Sequence, residues 1–473
     1  MSSTNSPAPS RRAVTVVVLA SLVLSLAIAL WFPLVDPDEG RNAEVAAEMA
    51  ADGDIVVPHL AGVPYLDKPP ALFAAGALAI RVFGRAPWVP RLPAIAASLL
   101  VMLLLAHAAR RLTDEAHRWR TLALFASAPL AAVIGAYVIF DMPLALCVTA
   151  VWTGIALECE RGPTRGRRAL MFAAVGLGIL VKGPVMLAWA LGGSAAAALL
   201  AREWGPLRWL AWAPGWLIAL GLPGAWFAAA LQRHPEYLRY AFLEESFERL
   251  TRSSFDRNQP WWFVPAVFVG GALPWSLVTP WRLPASRAAR IAAGFVLFAA
   301  VFFTFSHSKL VTYLLPAFPA LAWWAAESWT RSRRPAWQLA ACLAFTPLVL
   351  IGGSVALREY AHTTSGERLA RAIQAAGPGA LRYEDCYSPG TEYLLGRPSR
   401  VVSALGHPLT SNYAVRYRET LRQRGEWTLV DDPADAPPAE FVIRERRREG
   451  MAPAGHREIF RDRRFVAWQR LGH

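Results

Sequence analysis

AVTVVVLASLVLSLAIALWFPLV, residues 13–35, is an apolar run of 23 residues without a single charge. A bilayer core about 30 Å thick is crossed by roughly 20 residues of helix, so this run reads as a span. It is too long for the core of a cleaved leader, so it is expected to remain as a helix. Comparable stretches recur near 88–109, 119–138, 142–158, 168–181, 184–201, 207–231, 261–281, 289–305, 310–326 and 336–357. Composition agrees, with 55% hydrophobic residues, 18% charged residues and a mean hydropathy of +0.29. The expected class is an all-α polytopic membrane protein with about 11–13 transmembrane helices and a small soluble C-terminal domain.

The formal net charge is +14, but the basic residues form no single patch with exposed aromatics, which excludes a nucleic-acid partner. They follow the alternation of the spans instead. Placing the N-terminus with Arg11 and Arg12 inside also brings four clusters inside: Arg110, Arg111, Arg118 and Arg120; Arg161, Arg165, Arg167 and Arg168; Arg202 and Arg208; and Arg282, Arg287 and Arg290. Arg331, Arg333 and Arg334 complete the inner set. An odd number of spans then puts the C-terminus outside. The expected division is a membrane domain over 1–357, with long outer segments at 36–87 and 232–260, and a periplasmic domain over 358–473. Within the outer segments, 71–83 and HPEYLRYAFLEESFERL (234–250) read as interfacial helices. Beyond 358 the pattern predicts a helix at 367–377, strands near 400–404, 427–430 and 440–443, a helix at 412–424 and a last strand at 464–469, an α/β or α+β unit. Cys147, Cys159 and Cys342 fall in or at the ends of spans, leaving Cys386 alone outside, so no disulfide framework is expected.

Only three lysines, Lys68, Lys182 and Lys309, stand against 46 arginines. In a chain so biased toward arginine, a retained lysine points to a need for a compact ammonium. All three map to the outer side, where each could be an interfacial anchor or a ligand for a lipid-borne phosphate. Acids stand near them. Asp38 and Glu39 follow the first span in D-P-D-E-G-R, where Asp38 could simply cap the next helix. Asp141 lies in the apolar hairpin Y-V-I-F-D-M-P, where a carboxylate is expensive and tends to be functional, with helix capping ahead of Pro143 as its rival. Asp67 precedes Lys68 in Y-L-D-K-P-P.

D-P-D-E-G-R, P-Y-L-D-K-P-P, F-D-M-P, L-V-K-G-P, H-P-E-Y-L-R-Y and S-H-S-K-L-V-T-Y-L-L-P occur in this order over residues 30–325. The set resembles the bacterial lipid A aminoarabinose transferases and their protein O-mannosyltransferase-like relatives, which share the GT-C fold. The resemblance implies transfer of a sugar from a polyprenyl-phosphate donor to a lipid or glycolipid acceptor, lipid A among the candidates, at the outer face of the bacterial inner membrane. It implies catalytic roles for Asp38 and Asp141, and for Lys68 toward the leaving phosphate. Glu39, Arg41, Lys182, Lys309 and Tyr313 become substrate-binding candidates. It also raises a divalent metal ion, with Asp67 where those enzymes carry a Glu ligand. Ser246, where they carry a metal-binding His, and Asn42, in place of a usual Tyr, leave the zinc site of that type incomplete. The expected site is one cavity containing Asp38, Arg41, Lys68, Asp141 and Tyr313. The competing class is a transporter or flippase of lipid-linked sugars, against which stand charges gathered on one side and the lack of a visible inverted repeat in the sequence.

Overall fold

The computed structural model describes residues 11–241, 243–244, 259–332, 336–448 and 450–471. The chain divides into two compact units, one formed by Met1–Ile28 with Ala94–Gly352, the other by Ala29–Pro93 with Gly353–His473. The break at 352/353 lies close to the expected one. The segment after the first helix, however, groups with the C-terminal residues rather than with the helical unit. Its Asp38–Asp52 helix buries Val45, Ala46, Ala47 and Met49. Gly40 lies so close to Gly390 that a Cβ would come within 2.6 Å of the Gly390 nitrogen.

The first unit is helical. Among the described residues, five helices are long and apolar enough to cross a membrane: Arg12–Trp31, Val89–Leu112, Asp141–Arg161, Ala213–Arg233 and Arg287–Phe305. A sixth span results if Trp337–Gly352 and Ser354–His362, bent by 55°, count as one. The other candidate stretches are helical but interrupted or short. Residues 119–138 break at Ala128 ahead of Pro129, and 261–281 comprises Phe263–Gly271 and Trp275–Val278 on either side of Pro274. Residues 310–326 start as the 3-10 segment Val311–Ala317 before Phe318–Thr330. Proline lacks the N–H that a continuous helix needs and marks each of these interruptions. Val185–Ala201 is apolar and 17 residues long. It packs against Arg287–Phe305 through small residues. A Cβ on Gly294 would meet the Ala197 backbone at 2.4 Å, and one on Gly193 would meet the Phe295 ring at 2.4 Å. Close backbone approach of this kind holds helices together where lipid removes the hydrophobic drive. The chain is a multi-pass membrane protein.

The second unit holds a small hairpin of β1 (His59–Leu60) and β2 (Val63–Pro64) and a five-stranded sheet. The sheet contains β3 (Leu381–Glu384), β4 (Ser399–Val402), β5 (Phe441–Glu445), β6 (His456–Arg461) and β7 (Phe465–Arg470) in the order β4-β3-β5-β7-β6. β3 is parallel to both β4 and β5, while β7 runs antiparallel to β5 and β6. The expected helix at 367–377 is Glu367–Ala376, but 412–424 is two short helices divided at Tyr417. The 427–430 stretch contributes only a single bridge from Val430 to Val402. All four cysteines are free thiols.

Candidate functional site

In the helical unit, the chain puts Asp141 at the first position of the Asp141–Arg161 helix and Lys182 at the last position of Arg165–Lys182. Because these helices run in opposite directions and pack side by side, the two residues meet at one end of the unit. Lys182 Nζ lies 2.5 Å from Asp141 Oδ1. The same ammonium stands 4.5 Å from the centroid of the Tyr313 ring, supplied by the Val311–Ala317 turn. Both charged side chains are nearly buried, at 6% exposure for Asp141 and 13% for Lys182. A buried ion pair needs such additional contacts to offset the loss of water, and the ring face supplies one. Lys309 is also buried and donates to the Gln259 carbonyl at 2.8 Å. Three residues distant in sequence thus converge here: Asp141, Lys182 and Tyr313.

The opposite ends of the same helices carry a different arrangement. Arg168 bonds Glu158 at 2.5 Å, and Arg287 forks onto both carboxylate oxygens of Glu203 and reaches the Cys159 carbonyl. These carboxylates and guanidinium groups satisfy one another within the protein.

The second unit holds Asp38, Arg41, Asp67 and Lys68. Asp38 is exposed and accepts from Arg41 Nη2 at 2.6 Å. Arg41 also donates to Thr410 Oγ1 at 2.7 Å and stands 5.9 Å from the Tyr65 ring centroid. Burial works against its charge, yet Tyr65, Asp38 and Asp67 together hold its pKa above the ordinary arginine value. Lys68 is half-buried. Of the residues expected in one cavity, Asp38, Arg41 and Lys68 belong to the second unit, and Asp141 and Tyr313 to the first.

Two expectations change. Glu39 is not available to a substrate, for it is fully buried and both its oxygens are taken by Arg91, at 2.8 and 2.7 Å. Arg91 spends its remaining donors on the carbonyls of Ala29, Phe32 and Pro33 at 2.7–2.9 Å. All five guanidinium N–H groups are therefore used. Asp67, raised as a metal ligand, is buried and acts as a cap. It accepts from the Asn412 and Tyr413 amides at 3.0 and 3.3 Å and from the Ser411 hydroxyl. Among the described residues no group of three or more His, Cys, Asp or Glu side chains lies together to hold a metal ion. No step is derived through a metal ion. Ser246, most of 234–250, Arg333 and Arg334 lie outside the described residues.

Sequence reasoning missed Arg91, Asp36 and Tyr65. Asp36 is buried and accepts from Ser388 Oγ at 2.8 Å and Gly390 N at 3.0 Å. The Asp38–Asp52 helix also carries Glu44, bonded by Arg85 at 2.8 Å, and Glu48, which accepts from the Ala61 and Gly62 amides of the β1–β2 turn. Burial pushes Glu48 up to about 7 and raises Glu44 and Glu392. A signal for Arg91 existed, since it is an arginine within the candidate span 88–109, at the end that the charge pattern assigns to the outside.

A helical membrane unit joined to a small α/β unit, with a carboxylate–ammonium–tyrosine group at one end of the helices, defines a GT-C-type fold. The chain superposes with a TM-score of 0.81 on the crystal structure of ArnT from Cupriavidus metallidurans bound to undecaprenyl phosphate, covering 97% of this chain and 98% of that one at 24% identity. The apo form of that protein gives 0.78. Residues 67–223 match the family described as dolichyl-phosphate-mannose-protein mannosyltransferase. Among curated proteins, the undecaprenyl phosphate-α-4-amino-4-deoxy-L-arabinose arabinosyl transferase of Edwardsiella ictaluri is 30% identical over 311 residues, which are 62% of this chain and 54% of the relative. Its counterpart in Aeromonas salmonicida is 31% identical over 309 residues, 63% and 56% respectively. The chain thus spans a little more than half the length of the curated relatives it matches.

Proposed function

We propose that this chain is a membrane glycosyltransferase that moves a sugar from a polyprenyl-phosphate donor to a lipid or glycolipid acceptor of the lipid A class. The observation that carries the reading is the Lys182 ammonium, held by Asp141 and faced by Tyr313 at one end of a membrane unit. A cation fixed at membrane level suits a ligand whose charge is a phosphate and whose body is a hydrocarbon chain. The acceptor oxygen attacks the anomeric carbon while the bond from that carbon to the phosphate oxygen breaks. The electron pair leaves with the polyprenyl phosphate, where Lys182 and Lys309 would stabilise the growing charge. The proton of an acceptor hydroxyl would pass to a carboxylate, for which Asp38 and Asp141 are the candidates, and Lys68 and Arg41 of the second unit are proposed as phosphate ligands on the strength of their motifs.

We place the enzyme in the bacterial inner membrane with the N-terminus cytoplasmic and the second unit periplasmic. The alternation of arginine clusters supports this orientation. Reporter fusions at residues 5 and 473 should report opposite sides; the same side for both would overturn it. The activity test is transfer from a radiolabelled undecaprenyl-phosphate sugar to extracted envelope lipid by the purified chain. Product with the wild type and roughly 10²–10³-fold slower formation with Lys182→Ala supports the reading. Movement of the intact donor across a vesicle bilayer without transfer would return the chain to the transporters.

A further inference from the structure

The C-terminal sheet contains a feature that the transferase scheme does not use. In the order β4-β3-β5, the chain leaves β3 toward β4 on one side and then crosses back to β5 on the other. The direction of winding reverses at β3. In open parallel sheets the crevice outside the carboxyl ends of strands at such a reversal is where ligands bind. A cavity of about 570 Å³ lies at that place, within the roughly 300–1,000 Å³ range of small-molecule sites. Its walls are the residues that follow the three parallel strands: Asp385 and Tyr387 after β3, Ser403 and His407 after β4, and Glu445 and Arg448 at and beyond the end of β5.

The chemistry of the lining restricts the ligand. Asp385 and Glu445 supply acceptors, Arg448 and His407 supply donors, and none of the four has a side-chain hydrogen bond or ion pair among the described residues. Arg464, also on the wall, is already tied to the Thr364 carbonyl and lies 3.8 Å from Asp36, so it shapes the site rather than waiting for a ligand. Asp385 is held with φ at +49°, its amide bonded to the Val402 carbonyl at 2.9 Å, an unusual backbone state for a residue other than glycine. Charges of both signs around one opening oppose an acyl or prenyl chain and oppose a polyanion. They suit a neutral molecule dense in hydroxyls, each of which both donates and accepts.

We infer that this crevice is a saccharide-binding site, lined by none of the residues assigned to sugar transfer and independent of that assignment. The test uses the full chain in phospholipid nanodiscs, free of sugar-based detergent, with chitobiose as the probe and saturation-transfer-difference NMR as the readout. A saturable signal is expected from the wild type, weakened at least roughly tenfold by Glu445→Gln combined with Arg448→Ala, the loss of about one charge-assisted hydrogen bond. Both positions are on the rim, and the thermal midpoint of the variant checks folding. A photoreactive chitobiose, mapped by mass spectrometry on the wild type, gives a second readout that needs no variant and should label 403–408 or 445–448. Absence of saturable transfer, an equal signal in the folded double variant, labelling confined to other residues, or transfer to sodium decanoate instead of chitobiose would each overturn the inference.

Discussion

The two ends of the helical unit are both charged, yet they are built differently. At one end arginines meet glutamates in pairs that satisfy each other, Arg168 with Glu158 and Arg287 with Glu203. At the other, two of the chain's three lysines are held without an arginine fork, Lys182 by Asp141 and a tyrosine ring and Lys309 by a carbonyl, beside the Arg239–Glu244 pair. An arginine fork matched to a carboxylate is a closed arrangement with little left to offer a ligand. A lysine beside a single carboxylate and a ring keeps donor capacity, because an ammonium has three N–H groups and the observed Asp141 bond uses one. Under the proposed function, the contrast teaches that charge at a membrane boundary has separate uses, anchoring at one end and recognition at the other.

Substitutions at the two ends should break this contrast if it is wrong. Lys182→Ala is expected to lower the turnover of sugar transfer roughly 10²–10³-fold with the thermal midpoint nearly unchanged, the scale seen on removing one preorganised electrostatic contact. Lys182→Arg should be impaired as well, since the guanidinium is planar and longer. Asp141→Asn, measured in the same assay, should cost roughly 10–100-fold, because the amide still orients Lys182 but no longer balances its charge. Lys68→Ala should abolish most transfer while membrane insertion stays intact, and Lys68→Arg should remain well below wild type; wild-type turnover in Lys68→Arg would return it to an anchor. At the other end, Arg287→Ala should change turnover by less than about twofold and stability by no more than about 1 kcal/mol, as its pair is partly exposed.

A smaller effect sharpens a second contrast, between the exposed Asp38 and the enclosed acids on its own helix. Glu48 is raised to about 7, and Glu44 and Glu392 are raised too, mainly by burial. A carboxyl whose pKa is higher folded than unfolded binds more protons in the folded state. Stability conferred by these groups is therefore fully present below the unfolded value and is lost as pH rises toward 7. The thermal midpoint should be higher at pH 5.5 than at pH 8, and Glu48→Gln should flatten part of that dependence. An unchanged midpoint between the two pH values would place these acids in contact with water.

Much of the helical unit was legible because hydrophobic runs and charge alternation leave few other readings. Asp141 and Lys182 could be found singly, by the cost of an acid in an apolar hairpin and by the rarity of lysine, and Tyr313 through the family resemblance. The expected cavity held Asp141 and Tyr313 but not Lys182, whose place beside them depends on antiparallel packing of the helices that Asp141 begins and Lys182 ends. The fate of Glu39 was misread for a related reason. In the sequence it is one more acid in an exposed-looking segment, whereas Arg91, 52 positions later, encloses it. In the small unit, β3 and β6 escaped notice because LRYE and HREIFR are too polar for short strand patterns to stand out. Hydrogen bonding to neighbours, not hydrophobic alternation, makes them strands.

The Arg91 contacts also bear on the order in which the protein takes shape. The carbonyls of Ala29, Phe32 and Pro33 and the carboxylate of Glu39 all wait for a residue 52 to 62 positions downstream. At roughly 5–20 residues per second, that delay during synthesis is about 3–12 s. Through that interval the stretch bearing Asp38 emerges without its clasp. It becomes fixed only as the chain commits to its next long hydrophobic helix, so assembly of this corner is timed by membrane insertion itself.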